Sequence, residues 1–358
     1  MRRCGGGDVA ARVGTKNSKG LSKAARLVEL LRTRRALLIV MQDNPDPDSL
    51  AAAAALRRIA NTLTEVQCSI AYGGVIGRAE NRAVADYLGL NFRPIAEVDL
   101  TKYDALALVD TQPKAGNNSL PAEHPPDIVL DHHPLRKDTR GVPFNDVRSR
   151  YGAVSTILVE YLGELGIRPD PPLATALLYA IRSDTRDLGA QAAQADIAAA
   201  EALYPLANTR MLSSIQRGRV PPGYFRALSD ALANARVYGI AIVADLGDVD
   251  NPDLLGEMAD LFLRHEGTEW VLCHGVWENR LLMSMRTSQS RKRAGDVIRK
   301  VVARIGTGGG HPASAGGQVD LDPCTRAERE RRTKLIRERF LREVGESAER
   351  YRKMLNAP

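Results

Sequence analysis

Cysteine, aromatic residues and long apolar runs are all scarce in this chain. Its four cysteines (Cys4, Cys68, Cys273 and Cys324) are scattered without CxxC spacing, which excludes a zinc ribbon or a disulfide scaffold and fits a reducing compartment. The best apolar runs, Ala36–Met41 and Ala51–Leu56, fall far short of the ~20 residues that span a bilayer. Arg2 and Arg3 are followed by no apolar stretch, so a secretory leader is not expected and a cytoplasmic location is. Aromatics make up only 5% of the residues, leaving few platforms on which a long single strand could stack.

What is present is ordinary globular material with a basic bias. The 358 residues are 44% hydrophobic and 26% charged, with a net charge of +7, enough length for two domains with separate cores. A basic surface steers polyanions inward, although solubility alone would also account for it.

Met1–Gly20 is rich in Gly, Lys and Ser, has no periodicity and reads as a mobile arm. From residue 21 to 204 apolar runs alternate with helical patterns. Ala36–Met41, Val66–Tyr72, Ala105–Val109 and Ile128–Leu130 read as strands. Leu21–Arg32, Ser49–Leu63, Asn81–Leu88, Val154–Leu165, Pro172–Ile181 and Gln194–Leu203 read as helices. This alternation predicts an α/β domain built on a parallel sheet covered on both faces. The pattern weakens over 205–234, where Pro205, Pro221 and Pro222 mark a linker region. A smaller α/β domain follows over 235–322, with strands near Val237–Val243, Trp270–Val276, Leu281–Met285 and Ala315–Val319 and helices near Leu254–Leu263 and Ala294–Ile305. The remainder, 323–358, is a charged amphipathic helix from Thr325 to Leu355. Thr325 and Glu328 have capping-box spacing, and Ile336, Phe340 and Val344 form an apolar stripe for docking on the second domain.

Four segments release acidic or imidazole groups where an apolar run ends. Asp46-Pro47-Asp48 lies between the first strand and an alanine-rich helix. Asp110 ends Ala107-Leu108-Val109, Asp131-His132-His133 follows Ile128-Val129-Leu130, and Asp184 follows Leu177–Ile181. Each alone is explained by a turn or a helix cap. Together they place a carboxylate and imidazole cluster at the carboxyl ends of the strands, where open α/β sheets bind ligands. Such a donor set suits Mn²⁺ or Mg²⁺ better than zinc. Two ions sharing a bridging carboxylate can activate hydroxide against phosphorus and neutralise charge on the phosphoryl oxygens. A fifth segment, Gly308-Gly309-Gly310-His311, is neither a Rossmann fingerprint nor a Walker loop. Its backbone N–H groups are expected to form an anion nest, with Arg286 as a partner for the same phosphate; a flexible turn and an exposed strand-end arginine are the plainer readings.

In order and spacing these five motifs resemble the DHH phosphoesterase superfamily with its DHH-associated C-terminal domain. The similarity runs from about Ala36 to Val319 and looks most like the nanoRNase and phosphoadenosine-phosphate phosphatase branch. The resemblance implies a DHH catalytic domain over 21–204 linked across a cleft to a substrate-binding domain over 235–322. It implies that Asp46 holds one metal and Asp48 the other, that Asp110 bridges them, and that His132 and Asp184 complete the second site. His133 would lie near the scissile phosphate, with Arg286, Gly308, Gly309, Gly310 and His311 on the substrate. Two Mn²⁺ per site, with Mg²⁺ as a substitute, a short nucleic acid or nucleotide as substrate, no membrane and a homodimer are further implications. One position departs from the pattern: Gln42 stands four residues before Asp46, where the branch has a histidine ligand. RecJ-like relatives also lack that histidine, and Asp43 is a candidate to compensate.

The leading expectation is a Mn²⁺-dependent phosphoesterase acting on short oligonucleotides, dinucleotides or 3′,5′-phosphoadenosine phosphate. A RecJ-like single-strand exonuclease is the enzymatic alternative, and the low aromatic content with no evident OB-fold speaks against it. An inorganic pyrophosphatase shares the motifs but fits the Gly308–His311 segment and the basic tail less well. A nucleotide-binding regulatory protein with weakened catalysis is the alternative from another class, supported by Gln42 and opposed by the intact Asp48, Asp110, His132 and Asp184 set.

Overall fold

The computed structural model describes residues 21–189, 192–289, 292–310 and 312–355. The expected N-terminal arm and His311 lie outside them. The chain divides into two compact units between Gly218 and Arg219.

In the first unit, α1 (Lys23–Arg32), β1 (Ala36–Met41), α2 (Pro47–Leu63), β2 (Gln67–Tyr72), α3 (Ala79–Leu88), β3 (Phe92–Pro94), β4 (Ala105–Val109), β5 (Ile128–Asp131) and β6 (Phe144–Val147) are followed by α4 (Val154–Glu164), α5 (Pro171–Asp184), α6 (Gln194–Leu203) and α7 (Thr209–Gln216). The strands form one sheet in the order β3-β2-β1-β4-β5-β6, and every pair is parallel. The order reverses between β1 and β4, so the loops leaving these two strands diverge. Open α/β sheets bind ligands at the carboxyl ends of the strands beside such a reversal.

Alternate residues of each strand face opposite sides, and the two sides are covered differently. Leu37, Ile39, Met41, Ala107, Val109 and Leu130 pack with buried residues from all of α1 through α7. On this side Ala51–Ala55 of α2 are all buried, and their small side chains let α2 lie close to its neighbours. On the other side Leu38, Val40, Leu106, Leu108 and Val129 meet Ile95, Val98, Leu100 and Tyr103, carried on and around the short 3₁₀ turns Ile95–Glu97 and Leu100–Lys102. Among the described residues, helices therefore gather on one face, and turns and loops close the other.

In the second unit, α8 (Pro222–Asn234), β7 (Arg236–Tyr238), β8 (Ala241–Asp248), α9 (Asp253–Phe262), β9 (Trp270–Trp277), β10 (Arg280–Thr287), α10 (Ala294–Val301), β11 (Thr307–Gly310), β12 (Ser314–Asp320), α11 (Arg326–Val344) and β13 (Arg352–Lys353) build a sheet ordered β11-β12-β10-β9-β8-β7-β13. Only β8 and β9 pair in parallel; the other pairs are antiparallel. α8 and α9 cover one face, α10 and α11 the other. The 205–234 region contains α7 in the first unit and α8 in the second. Pro222 lies at the start of α8, where its missing N–H costs nothing. The charged tail is shorter as a helix than its pattern predicts. It stops at Val344, capped by Gly345, and the chain returns to pair β13 with β7. Ile336, Phe340, Leu341 and Val344 are buried, so one stripe of an otherwise charged helix is docked.

Candidate metal centre

Four segments of the first unit deliver the cluster. Asp46 is the N-cap of α2, its carboxylate accepting the Ser49 N–H at 3.0 Å. Asp48, inside the first turn, is fully buried. Its Oδ2 accepts from Val154 N at 2.7 Å and its Oδ1 from Ser155 N at 2.8 Å, so the start of α4 grips the carboxylate. Asp110 follows β4 with φ +61°, a left-handed conformation that Asp tolerates better than most side chains. Asp131 ends β5, with His132 and His133 directly after it, and Asp184 is the last residue of α5.

His132 is the hub. Its Nδ1 lies 3.2 Å from the Tyr151 carbonyl, an acceptor that keeps the proton on Nδ1 and leaves Nε2 as the metal-facing lone pair. Nε2 is 3.4 Å from Asp110 Oδ1, 3.7 Å from Asp184 Oδ2 and 3.9 Å from Asp48 Oδ2. His133 Nδ1 lies 2.7 Å from Asp131 Oδ1 and 3.7 Å from Asp110 Oδ1. Two sets result, Asp48–His132–Asp184 and Asp110–His132–His133, each with its donor atoms within 4.8 Å of one another.

The electrostatics are those of acids crowded beyond comfort. Burial pushes the Asp110 carboxyl well above its usual range, and the charges of Asp46, Asp48 and Asp131 push it further. Asp184 is raised in the same way, by burial and by Asp46 and Asp48, against a pull from His132. Asp48 is also raised, burial and Asp46 prevailing over His132 and Ser155. Asp131 behaves oppositely. Burial alone would raise it, yet its bonds and charge contact with His133, the charge of His132 and the Gln112 amide hold it low. Burial disfavours the His132 cation, but Asp48, Asp184, Asp131 and the Tyr151 carbonyl together raise its pKa. Asp110 Oδ1 has no hydrogen-bond partner and is sealed from solvent. A buried, unpartnered carboxylate oxygen facing two imidazoles is what a divalent cation would satisfy. Oxygen donors with one or two imidazoles suit Mn²⁺ or Mg²⁺. The donor set therefore fits a hard divalent cation.

The remaining candidates sit as follows. Asp46 belongs to neither set of converging donors, although its charge is felt by Asp48, Asp110 and Asp184. Asp43, the candidate substitute ligand, is likewise in neither set; its carboxylate accepts from Ser119 Oγ at 2.9 and 3.0 Å. Gln42 Oε1 accepts from Asn117 Nδ2 at 3.4 Å. In the second unit, Arg286 is engaged by Asp260 at 2.5 Å and by Ser284 Oγ at 2.9 Å. The glycine run is not a loop: Thr307–Gly310 is an edge strand, with Gly308 opposite Gly317 and Gly309 opposite Gly316. Packing gives the reason. Side chains on Gly308 or Gly317 would press on Ile298 of α10 and on Val302, which caps it, with contacts of 3.0 to 3.3 Å.

Sequence reasoning missed the groups that hold the donors. Gln112, buried just past Asp110, donates to Asp131 Oδ2 at 2.6 Å and accepts from Arg136 N and Thr139 Oγ1 at 2.8 Å each. Its position two residues after a motif aspartate was its only signal. The Tyr151 carbonyl and the Val154 and Ser155 N–H groups are backbone, and no side-chain motif reports them.

Comparison with known families decides the affiliation. The DHH family, N-terminal domain, matches residues 36–181, and the DHHA1 domain matches residues 239–340. The chain belongs to the DHH phosphoesterase superfamily. An uncharacterized protein of Methanocaldococcus jannaschii is 34% identical to it over 306 residues, covering 85% of this chain. This chain spans 62% of that relative's length. Among solved structures, an exopolyphosphatase-related protein from Bacteroides fragilis matches with a TM-score of 0.66 at 10% identity, covering 92% of this chain and all of that one. RecJ from Thermus thermophilus, crystallised with Mn²⁺, matches with a TM-score of 0.50 at 17% identity, covering 88% of this chain and 54% of that one. At such identities the likeness to this DHH chain is one of fold. Among the described residues no helix is long and apolar enough to cross a membrane.

Proposed function

We propose that this DHH chain is a Mn²⁺-dependent phosphoesterase that hydrolyses the phosphate ester of short oligonucleotides, dinucleotides or 3′,5′-phosphoadenosine phosphate. The observation that carries the reading is the pair of donor sets sharing His132, with a sealed and unpartnered Asp110 oxygen between the two imidazoles. Asp48, His132 and Asp184 would hold one ion; Asp110, with His133 beside it and Asp46 near by, would hold the other. Ions bound there supply Lewis acidity toward water and toward the phosphoryl oxygens.

The protein's own part is orientation. Val154 and Ser155 N–H fix Asp48, so its carboxylate cannot swing away when the neighbouring acids repel it. The Tyr151 carbonyl sets the tautomer of His132. Asp131, clamped by Gln112, takes the Nδ1–H of His133, leaving Nε2 as the atom that meets a phosphoryl or leaving oxygen. In the second unit, Arg286, held by Asp260 and Ser284, would offer its guanidinium to a phosphate in competition with Asp260.

Purified protein incubated with each of the three substrate classes, with Mn²⁺, Mg²⁺ or chelator, tests the reading, with products separated by chromatography. Turnover of at least one class with Mn²⁺ and none in chelator is the expected result. Nucleotide binding without metal-dependent turnover would instead make the chain a regulatory binder.

A further inference from the structure

Asp196 lies on α6, outside every motif that marks the site, and has no exposed surface. Its Oδ2 accepts from Gly152 N at 2.8 Å and from Ala193 N at 2.7 Å, and its Oδ1 accepts from Thr156 Oγ1 at 2.6 Å. Gly152 and Thr156 bracket a short stretch that, together with the Tyr151 carbonyl joined to its start, makes three contacts to the cluster. Just before it, the Tyr151 carbonyl meets His132 Nδ1 at 3.2 Å; within it, Val154 N and Ser155 N reach Asp48 at 2.7 and 2.8 Å. Asp48 and His132 belong to the same donor set. Gly152 is there because the approach is tight: a Cβ would fall 2.3 Å from Thr185 Cγ2 and 2.9 Å from Asp196 Oδ2. Thr185 in turn follows Asp184, the third member of the set.

We infer that Asp196 is a positioning residue for the Asp48–His132–Asp184 set, tying both ends of the 152–156 stretch so that its backbone holds the Asp48 carboxylate, and the Tyr151 carbonyl joined to it holds the His132 imidazole, at metal-binding distance. The ordinary use of an acid here is to cap α6, which the Ala193 bond alone would serve. A cap has no need to reach Gly152 and Thr156 as well. Two further bonds, to the segment that grips two of the three donors, link α6 to the site. The inference rests on the metal-centre reading given above.

The test is Mn²⁺ affinity, read from free Mn²⁺ by electron paramagnetic resonance well below the melting temperature, with melting in chelator measured alongside. Asp196→Ala should weaken Mn²⁺ binding by about 10- to 100-fold, the range typical of lost outer-shell support, while Asp196→Asn should stay within about threefold. In the Asn variant Oδ1 can still accept both backbone N–H groups, and the Thr156 hydroxyl can accept from Nδ2. A folded Asp196→Ala protein with wild-type Mn²⁺ affinity and only a lower melting temperature would overturn the inference, leaving Asp196 as a helix cap. If Asp196→Ala does not fold, Thr156→Val decides, since it removes one bond of the three: weaker Mn²⁺ binding supports the inference and unchanged binding overturns it. Failure of the wild-type protein to bind Mn²⁺ would remove the metal-centre reading itself, and this inference with it.

Discussion

Replacing Asp110 by Asn should make the metal-free protein more stable, not less. The wild-type carboxylate is buried, its Oδ1 has no partner, and three other aspartates raise the cost of its charge. A buried polar group left unsatisfied costs about 1–3 kcal/mol, more when charged. Asn keeps the shape, removes the charge and is at ease at the observed φ of +61°. We take the gain as about 2 kcal/mol, worth roughly 4–8 °C in a unit of this size. The pH dependence follows with its sign. Asp48, Asp110 and Asp184 all have folded-state pKa values above those of the unfolded chain. Their contribution to stability is complete below about pH 4 and is lost as pH rises through the raised values. In chelator the wild-type protein should therefore lose stability on leaving the acid range, and Asp110→Asn should flatten that loss. Asp131, held low, acts in the opposite sense on the acid side. Added Mn²⁺ should close the gap. At a hundred times its dissociation constant the ion adds about 2.7 kcal/mol to the wild type, but about 0.4 kcal/mol to a variant that binds 100-fold more weakly. Calorimetry with and without Mn²⁺ reads all of this. An Asp110→Asn protein that melts at or below wild type in chelator, or gains as much from Mn²⁺, refutes the reasoning.

Two other perturbations test separate parts of the molecule. Gln42→His replaces a weak amide donor, now bonded to Asn117, with an imidazole; Mn²⁺ affinity should rise by about tenfold, and unchanged titration curves would mean another group already serves that position. Phe340→Ala empties a fully buried site under α11, beside Trp270 at a ring distance of 6.5 Å; urea denaturation should report a loss of about 3–5 kcal/mol, whereas a loss below about 1 kcal/mol would mean the helix is not docked as described.

Much of the scaffold was legible because its physics is local. Continuous apolar runs marked β1, β4 and β5, and the aspartates at their ends appeared at a glance. What escaped has its cause in tertiary contact. β3 is only Phe92–Pro94, too short for a pattern, and β6 carries Asn145 and Asp146 within its four residues. Pro222 read as a break but starts α8. Gly308–Gly310 read as a loop because glycine disfavours strands in isolation, yet α10 presses so close that side chains there would crowd it. In the site, the acids and imidazoles announced themselves by type. Their holders did not: Gln112, Asp196 and the 151–155 backbone act through partners distant in the chain.

The strand order has a consequence for how the protein comes into being. Asp48, Asp110, His132 and Asp184 leave different segments of the first unit, spread from α2 to the end of α5, and the 151–155 backbone that steadies two of them arrives only with α4. Distant parallel pairings of this kind are slow to close. A chain emerging from synthesis can collapse around β1 and α2 long before the donors meet, so on the metal-centre reading proposed above an ion would be captured only by the completed unit.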